Sequence, residues 1–217
     1  MIFVINPYQF VQGVPQLLNE QFETGATDWT STVGGFFVAW SPTYQPALLG
    51  TYSCRMDTTG ASTANAYKNF TPSGSVYCRF QIKNKRVAAQ NSNLVTFQTS
   101  TGTVLATFQL ATSTSRARIS VLGGSLASGT QSPVLETDYW AFFEYEKSTG
   151  ANNAVCRAGF SATSFRPTSW TGLAAATTNG TTTLDAGRIM FGTPLAATNY
   201  DVVIDNIQVQ ATPFPTS

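Results

Sequence analysis

The stretch VYCRFQI at residues 76–82 alternates apolar and polar side chains, so that Val76, Cys78, Phe80 and Ile82 share one face of an extended chain. A period of two is the signal of a β-strand with one buried face and one wet face. The same period predicts further strands at residues 93–99, 103–110, 116–122, 139–147, 154–160, 187–192 and 200–210. No window carries apolar residues at helical spacing. The sequence therefore predicts an all-β fold.

Polar segments rich in turn residues connect several of these strands. Residues 100–102 (Ser-Thr-Gly) and residues 148–153 each predict a hairpin. The strands between residues 76 and 122 are expected to form four antiparallel strands in succession. Residues 161–185 lack the alternation and exceed the usual length of a connection. We interpret that segment as a functional loop or a covering flap.

Several segments, taken in their order along the chain, resemble the concanavalin-A-like lectin/glucanase jelly-roll family in its LamG-like form. They are residues 18–24 with Trp29, then 50–56, 76–82, 94–97, 102–110, 138–145 and 200–209. The resemblance implies a two-sheet antiparallel jelly-roll sandwich over residues 17–212. An extended N-terminal arm at residues 1–16 and a tail at residues 213–217 then flank it. The family includes enzymes, lectins and structural proteins, so fold alone does not decide function.

The composition excludes several classes of function. Charged residues make up 11% of the chain, against an average of about 25%, and the net charge is +1. Basic residues are scattered apart from Lys83, Lys85 and Arg86, so a nucleic-acid partner is not expected. The chain has no histidine, which excludes Ser-His-Asp and Cys-His hydrolases. No apolar stretch approaches the ~20 residues of a membrane helix, so no membrane partner is expected either.

Paired carboxylates on one strand are the machinery of the family's glycan-cleaving members. Here Glu144 and Glu146 share a strand face. The Glu-x-Asp-x-x-Glu arrangement of the family's glucanases is absent, however. We therefore interpret Glu144 and Glu146 as a solvated strand edge and expect no enzymatic activity.

Two kinds of ligand site follow from the resemblance. Calcium is the one cofactor it invites, with Asp28, Asp57 and Asp205 as candidates by family position. Asp205 alternates with Val203, Ile207 and Val209, so an inward orientation is expected, with a structural hydrogen bond favoured over a cation. Sugar binding requires an exposed aromatic ring beside hydrogen-bonding groups, although aromatic residues usually belong to the core. The candidates for it are Trp29, Trp40, Tyr44 and Trp170.

The three cysteines, Cys54, Cys78 and Cys156, each lie in a strand-like run. Their number is odd, and their spacing is not that of a zinc site. We therefore predict three buried, reduced thiols that behave as small apolar side chains. A Cys54–Cys78 disulfide is the alternative.

The N-terminal segment carries more apolar side chains than a solvated arm would tolerate. We interpret it as an assembly arm whose contacts come from Ile2, Phe3, Val4, Ile5, Tyr8 and Phe10. An additional edge strand of the sandwich is the alternative. No secretion signal is recognisable at residues 1–10.

These features favour a non-enzymatic virion structural protein, such as a phage capsid decoration, cement or fibre-associated protein. It would be located in the virion and bind other virion proteins or sister copies as a homo-oligomer. The alternative is a carbohydrate-binding module or adhesin, secreted and bound to glycans.

Overall fold

The strands of this protein alternate with short turns and loops along the chain. The computed structural model describes residues 16–23, 29–31, 38–40, 48, 50–57, 64–193 and 201–216. In chain order the described strands are β1 (Gln16–Glu20), β2 (Thr30–Ser31), β3 (Val38–Trp40), β4 (Ser53–Asp57), β5 (Ala64–Ser73), β6 (Ser75–Arg86), β7 (Ser92–Gln98), β8 (Val104–Leu110), β9 (Ala117–Val121), β10 (Ala127–Ser128), β11 (Asp138–Glu146), β12 (Ala154–Ser161), β13 (Ala174–Gly180), β14 (Ala186–Thr193) and β15 (Asp201–Gln210). The part of the chain that the structure describes contains no helix that could span a membrane.

Two antiparallel sheets pack face to face around one hydrophobic core. Within the described chain, the first sheet has the order β13-β12-β11-β6-β15-β4-β3, with β1 also paired to β15. The second has the order β10-β9-β8-β7-β14-β5-β2. These sheets confirm the predicted two-sheet antiparallel jelly-roll sandwich. All of the predicted N-terminal arm except Gln16 lies outside the described residues, including Ile2, Phe3, Val4, Ile5, Tyr8 and Phe10.

Aromatic side chains from both sheets meet in the middle of the sandwich. Phe143 of the first sheet stacks on Phe97 of the second, with ring centroids 4.3 Å apart and an interplanar angle of 5°. Phe80 and Phe191 join the two sheets edge to face at 4.9 Å. Such pairs contribute beyond the burial of their apolar area. The core therefore binds β6 and β11 to β7 and β14.

All eight strands predicted from alternation are confirmed, but their arrangement differs from the expectation in one respect. The prediction of four successive antiparallel strands between residues 76 and 122 is wrong, because β6 does not pair with β7. Instead, β6 pairs with β11 and β15 in the first sheet, while β7, β8 and β9 follow one another in the second. Alternation determines which face of a strand is buried, and two strands of opposite sheets satisfy it equally well.

β5 and β13 are the longest of the strands that alternation did not predict. β13 lies within the segment predicted to be irregular, so only residues 162–173 of that segment form the flap beyond β12. Its sequence, AAATTNG, lacks large apolar side chains because it packs closely against β12. A Cβ atom added at Gly159 would lie 2.3 Å from the Cβ atom of Ala174. The polar β5 was likewise not predicted, since few of its side chains are apolar.

The three thiols are buried and free, which confirms the prediction for Cys54, Cys78 and Cys156. The alternative Cys54–Cys78 disulfide is excluded by sheet order, because β15 lies between β4 and β6. Two strand spacings amount to about 10 Å, whereas a disulfide requires Cα atoms within about 7 Å of each other. Burial raises the pKa values of the Cys78 and Cys156 thiols well above the ordinary value of a cysteine. The cysteines therefore serve as packing residues.

Candidate ligand-binding face

One face of the first sheet points away from the core, and we call it the outer face. Strand register defines its central residues. Opposite each other on β6 and β11 lie the pairs Tyr77–Glu144, Arg79–Phe142, Gln81–Trp140 and Lys83–Asp138. Residues directly opposite in an antiparallel pair project to the same side. The outer face therefore carries aromatic, amide and charged side chains in adjoining rows.

A buried ion-pair network occupies one end of this face. The side chain of Glu144 is 1% exposed, and its Oε1 accepts a hydrogen bond from Arg166 Nε at 2.5 Å. Its Oε2 accepts from Arg166 Nη2 at 2.8 Å and from Arg157 Nη1 at 3.2 Å. Arg157 also donates to Glu146 Oε1 at 2.8 Å. The predicted solvated edge is therefore wrong for Glu144, because the flap brings Arg166 over it.

Tyr77 lies beside this network on the neighbouring strand. Burial, followed by the negative charge of Glu146 and a hydrogen bond to it, raises the pKa of Tyr77 to about 12. The hydrogen bond to Glu144 likewise raises the pKa of Arg166. Tyr77 is therefore a neutral hydrogen-bond donor at physiological pH.

Replacing Tyr77 with phenylalanine is expected to make stability less sensitive to alkaline pH. In the unfolded chain a tyrosine loses its proton near pH 10, whereas in the folded protein Tyr77 keeps it until about pH 12. The contribution of Tyr77 to stability is thus fully present below pH 10. It is lost as the pH rises from 10 to about 12, which lowers the free energy of unfolding by an amount on the order of 2 kcal/mol. Urea unfolding between pH 9 and pH 12 measures it. A parallel loss in wild type and Tyr77→Phe would contradict this origin.

Next to the ion pairs lies a small aromatic cluster. Tyr77, Phe142 and Phe214 are buried together, and Trp140 and Trp170 pack against them while remaining partly exposed. The Arg79 guanidinium lies 4.5 Å from the Phe214 ring centroid and 5.4 Å from that of Trp140. Arg166 lies 5.3 Å from the ring centroid of Trp170. Arginine contacts of this kind hold both tryptophan rings in place.

Backbone hydrogen bonds fix the segments around the cluster. Arg79 Nη1 donates to the carbonyl oxygen of Ser164 at 2.8 Å, and the amide of Arg166 donates to the carbonyl oxygen of Pro215 at 2.8 Å. The amides of Thr130 and Gln131 both donate to the carbonyl oxygen of Gly172 at 2.8 Å. The flap is thus tied to the sheet, to the chain around Phe214 and to the loop at residues 129–137. The segment that carries Trp170 is anchored at both ends.

The structure places the predicted sugar-binding residues differently. Trp170 lies on the outer face, as a binding residue requires. Trp29 is instead a core residue, edge-on to Phe191 at 5.6 Å, with Nε1 donating to Glu20 Oε2 at 3.2 Å. Trp40 lies opposite Ser53 in β3, but its side chain, like all of Tyr44, is outside the described residues. Trp140 was not among the predicted binding residues, although a large aromatic residue on the polar face of β11 was a usable signal.

Asp205 does not share a face with Ile207 and Val209, so the inward orientation predicted for it is wrong. It lies opposite Gln81 on the outer face, and a bulge at Asn206, where φ is 48°, shifts the alternation of the residues that follow. Such bulges place two residues opposite one and turn side chains to the other face. Asp205 is nevertheless buried, and its Oδ1 accepts a hydrogen bond from the Asn206 amide at 2.7 Å.

Of the three proposed calcium ligands, only Asp205 has its side chain in the part of the chain that the structure describes. Asp28 and the side chain of Asp57 lie outside it. Among the described residues, no group of three His, Cys, Asp or Glu side chains is placed to hold a metal ion. The calcium site therefore stays a prediction.

Comparisons with known proteins concern the fold. No protein-family model matches the chain, and no curated protein sequence matches it. The structure is similar to that of Cip1, a cellulose-induced protein, with a TM-score of 0.61 and 11% identity over 92% of this chain and 100% of that one. The chain has a jelly-roll fold. It is also similar to a mutant alginate lyase in complex with an alginate trisaccharide, with a TM-score of 0.51 and 13% identity over 92% of this chain and 100% of the lyase.

A third similar structure is the receptor-binding domain of botulinum neurotoxin type G. Its TM-score is 0.57 at 7% identity, over 93% of this chain and 49% of that domain. This chain thus spans about half of the neurotoxin domain. Identities this low show a shared fold alone, and the fold is used both by a lyase and by a receptor-binding domain.

Proposed function

We propose that this protein binds glycans through the outer face of its first sheet and does not cleave them. The observation that carries the proposal is the pair of partly exposed tryptophans, Trp140 and Trp170, on one face and against one aromatic cluster. A pyranose ring has apolar faces rich in C–H groups, which pack on aromatic rings, and a rim of hydroxyls that needs polar partners. The outer face offers both kinds of contact.

Rigidity supports a binding role for these rings. Arg79 and Arg166 hold the two tryptophans, and the flap that carries Trp170 is anchored to the sheet through Glu144. A surface that is already ordered loses little conformational entropy when a ligand binds. The alginate trisaccharide in the lyase complex and the receptor-binding role of the neurotoxin domain also favour a ligand-binding sandwich.

The state of the carboxylates argues against glycan hydrolysis. A glycosidase requires one carboxyl group as an acid and a second as a nucleophile or base. Both oxygens of Glu144 accept hydrogen bonds from arginine, and the group is buried. Glu144 is therefore a structural anion, and Glu146 is left without a catalytic partner on this strand.

The virion assembly predicted from residues 1–16 stays a prediction. Of that segment only Gln16 belongs to the described residues, as the first residue of β1. Binding to other virion proteins or to sister copies, and location in a virion, therefore still rest on the sequence pattern.

Alanine at Trp140 or at Trp170 is expected to weaken glycan binding at least tenfold, because each substitution removes a stacking surface. Titration calorimetry against a panel of neutral and acidic oligosaccharides measures the affinity. Phe165→Ala is the matched control, since Phe165 is an exposed aromatic residue of the same flap and should leave affinity unchanged. Thermal melts verify that each variant is folded. Failure of the wild-type protein to bind any glycan, or wild-type affinity in both tryptophan variants, would overturn the proposal.

A further inference from the structure

Ion pairs on and beside the outer face fall into two kinds that differ in the burial of the acid. The side chains of Glu144 and Asp201 are 1% and 8% exposed, and each is held by an arginine. The partners of Lys83 and Lys85 are Asp138 and Glu136, whose side chains are 62% and 58% exposed. The first kind is a fixed part of the fold. In the second kind, the acidic side chain is mostly exposed to solvent.

The two lysines themselves are more sheltered than their partners. Their side chains are 15% exposed for Lys83 and 25% for Lys85, with Nζ–oxygen distances of 2.9 Å to Asp138 and 3.8 Å to Glu136. Exposed ion pairs contribute about 0 to 1 kcal/mol, so an acid of this kind is exchanged at little cost. A ligand carboxylate can therefore take the place of Asp138 on the Lys83 ammonium.

The strand register puts these lysines beside the proposed sugar platform. Trp140 lies opposite Gln81, and Lys83 is the next residue of β6 on the same face. Diagonal neighbours of this kind are about 7 Å apart, and Lys85 lies about 7 Å beyond along the strand. A sugar stacked on Trp140 would thus have an ammonium group within reach of a substituent on its ring edge.

Gln81 supplies a second indication of a ligand at this position. Its Oε1 atom is buried and has no hydrogen-bond partner among the residues that the structure describes. A buried acceptor without a donor is costly, and such groups are normally satisfied by protein, water or ligand. Gln81 is partly exposed as a whole, and its side-chain amide would have to turn outward to accept from a hydroxyl of a sugar stacked over Trp140.

We infer that the glycan is a carboxylated one, a hexuronate chain, and that Lys83 and Lys85 bind its carboxylates while Trp140 stacks on the sugar ring. This inference rests on the proposed function. It adds that Asp138 competes with the ligand for Lys83. Substitutions of the two partners should therefore have opposite effects on affinity.

The test compares oligogalacturonate and oligoalginate with their methyl esters, which keep the sugar chain and lose the charge. Wild-type protein is expected to bind an acidic form at least tenfold more tightly than its ester, with an affinity that falls as salt is added. Lys83→Gln should abolish that preference without weakening binding of the ester. Asp138→Asn should tighten binding of the acid severalfold. Lys147→Gln removes a more exposed lysine, whose ion-pair partner is Asp185, and should change neither affinity.

The outcomes separate this inference from the proposed function. Equal binding of acid and ester, equal weakening of both by Lys83→Gln, or no tightening by Asp138→Asn would overturn the carboxylate assignment and leave glycan binding intact. Binding of neutral glycans alone would do the same. Absence of binding to every glycan would overturn the proposed function itself. Because the lysine and aspartate variants act in opposite directions, loss of folding cannot mimic the expected result.

Discussion

Replacing Glu144 with alanine is expected to lower the free energy of unfolding by about 3 to 5 kcal/mol, because removing one member of a buried ion pair leaves the other charge without compensation. Glu144 is buried and accepts three hydrogen bonds from Arg157 and Arg166. Arg157 keeps Glu146 as a partner, whereas Arg166 loses the acid that it contacts. Urea unfolding measures the change, and hydrogen exchange should show faster opening of residues 162–173.

Asp185→Asn is the control for this variant. The Lys147–Asp185 pair is short, at 2.7 Å, but both side chains are exposed, so its loss should cost at most about 1 kcal/mol. A double-mutant cycle with Arg166→Ala should give a coupling energy well above that of the exposed pair. Equal and small effects of Glu144→Ala and Asp185→Asn would show that the buried network does not hold the flap.

Phe143→Ala is expected to lower the free energy of unfolding by about 3 to 5 kcal/mol. The substitution removes the buried ring, and the cavity that it leaves adds to the cost of the lost burial. Phe143 is fully buried on β11, stacks on Phe97 and contacts Phe108 with ring centroids 6.1 Å apart. It therefore joins β11 of the first sheet to β7 and β8 of the second. The urea concentration at the midpoint of unfolding should fall, while the dependence of the unfolding free energy on urea concentration stays the same.

The exposed Phe165 provides the comparison for Phe143. It is the same residue type with a side chain that is 45% exposed, so Phe165→Ala should change stability by no more than about 0.5 kcal/mol. Loss of several kcal/mol in both variants would mean that the flap is part of the core. Small changes in both would mean that the two sheets do not depend on the aromatic contacts between them.

Alternation in the sequence predicted the strands because each of them buries one face. The run at residues 76–82 became the middle of β6, whose buried and less buried residues alternate along most of its length. The partners of that strand were not predictable from the pattern. β6 lies between β11 and β15, and all three are far apart in sequence. Pairing between distant strands depends on how both sheets close over one core, which a local pattern does not contain.

In the candidate site, too, some features were predictable from the sequence and others were not. The polar face of β11 was evident from its sequence, and so was the presence of Trp170 in a long connection. The burial of Glu144 was not, because it depends on Arg166, 22 residues away, reaching back over the sheet. Asp205 was assigned to the wrong face because a single bulge at Asn206 reverses the alternation.

The sequence by itself determined the class of fold, the position of the main strands and the burial of the three cysteines. These properties follow from side-chain polarity at a period of two, and that period is local. Only the tertiary structure decided the order of the strands, the separation of Cys54 from Cys78 by β15, and the placement of Trp140 and Trp170 against one aromatic cluster. Each of these depends on contacts between residues distant in the chain, whose energies are realised only once the two sheets have packed against each other.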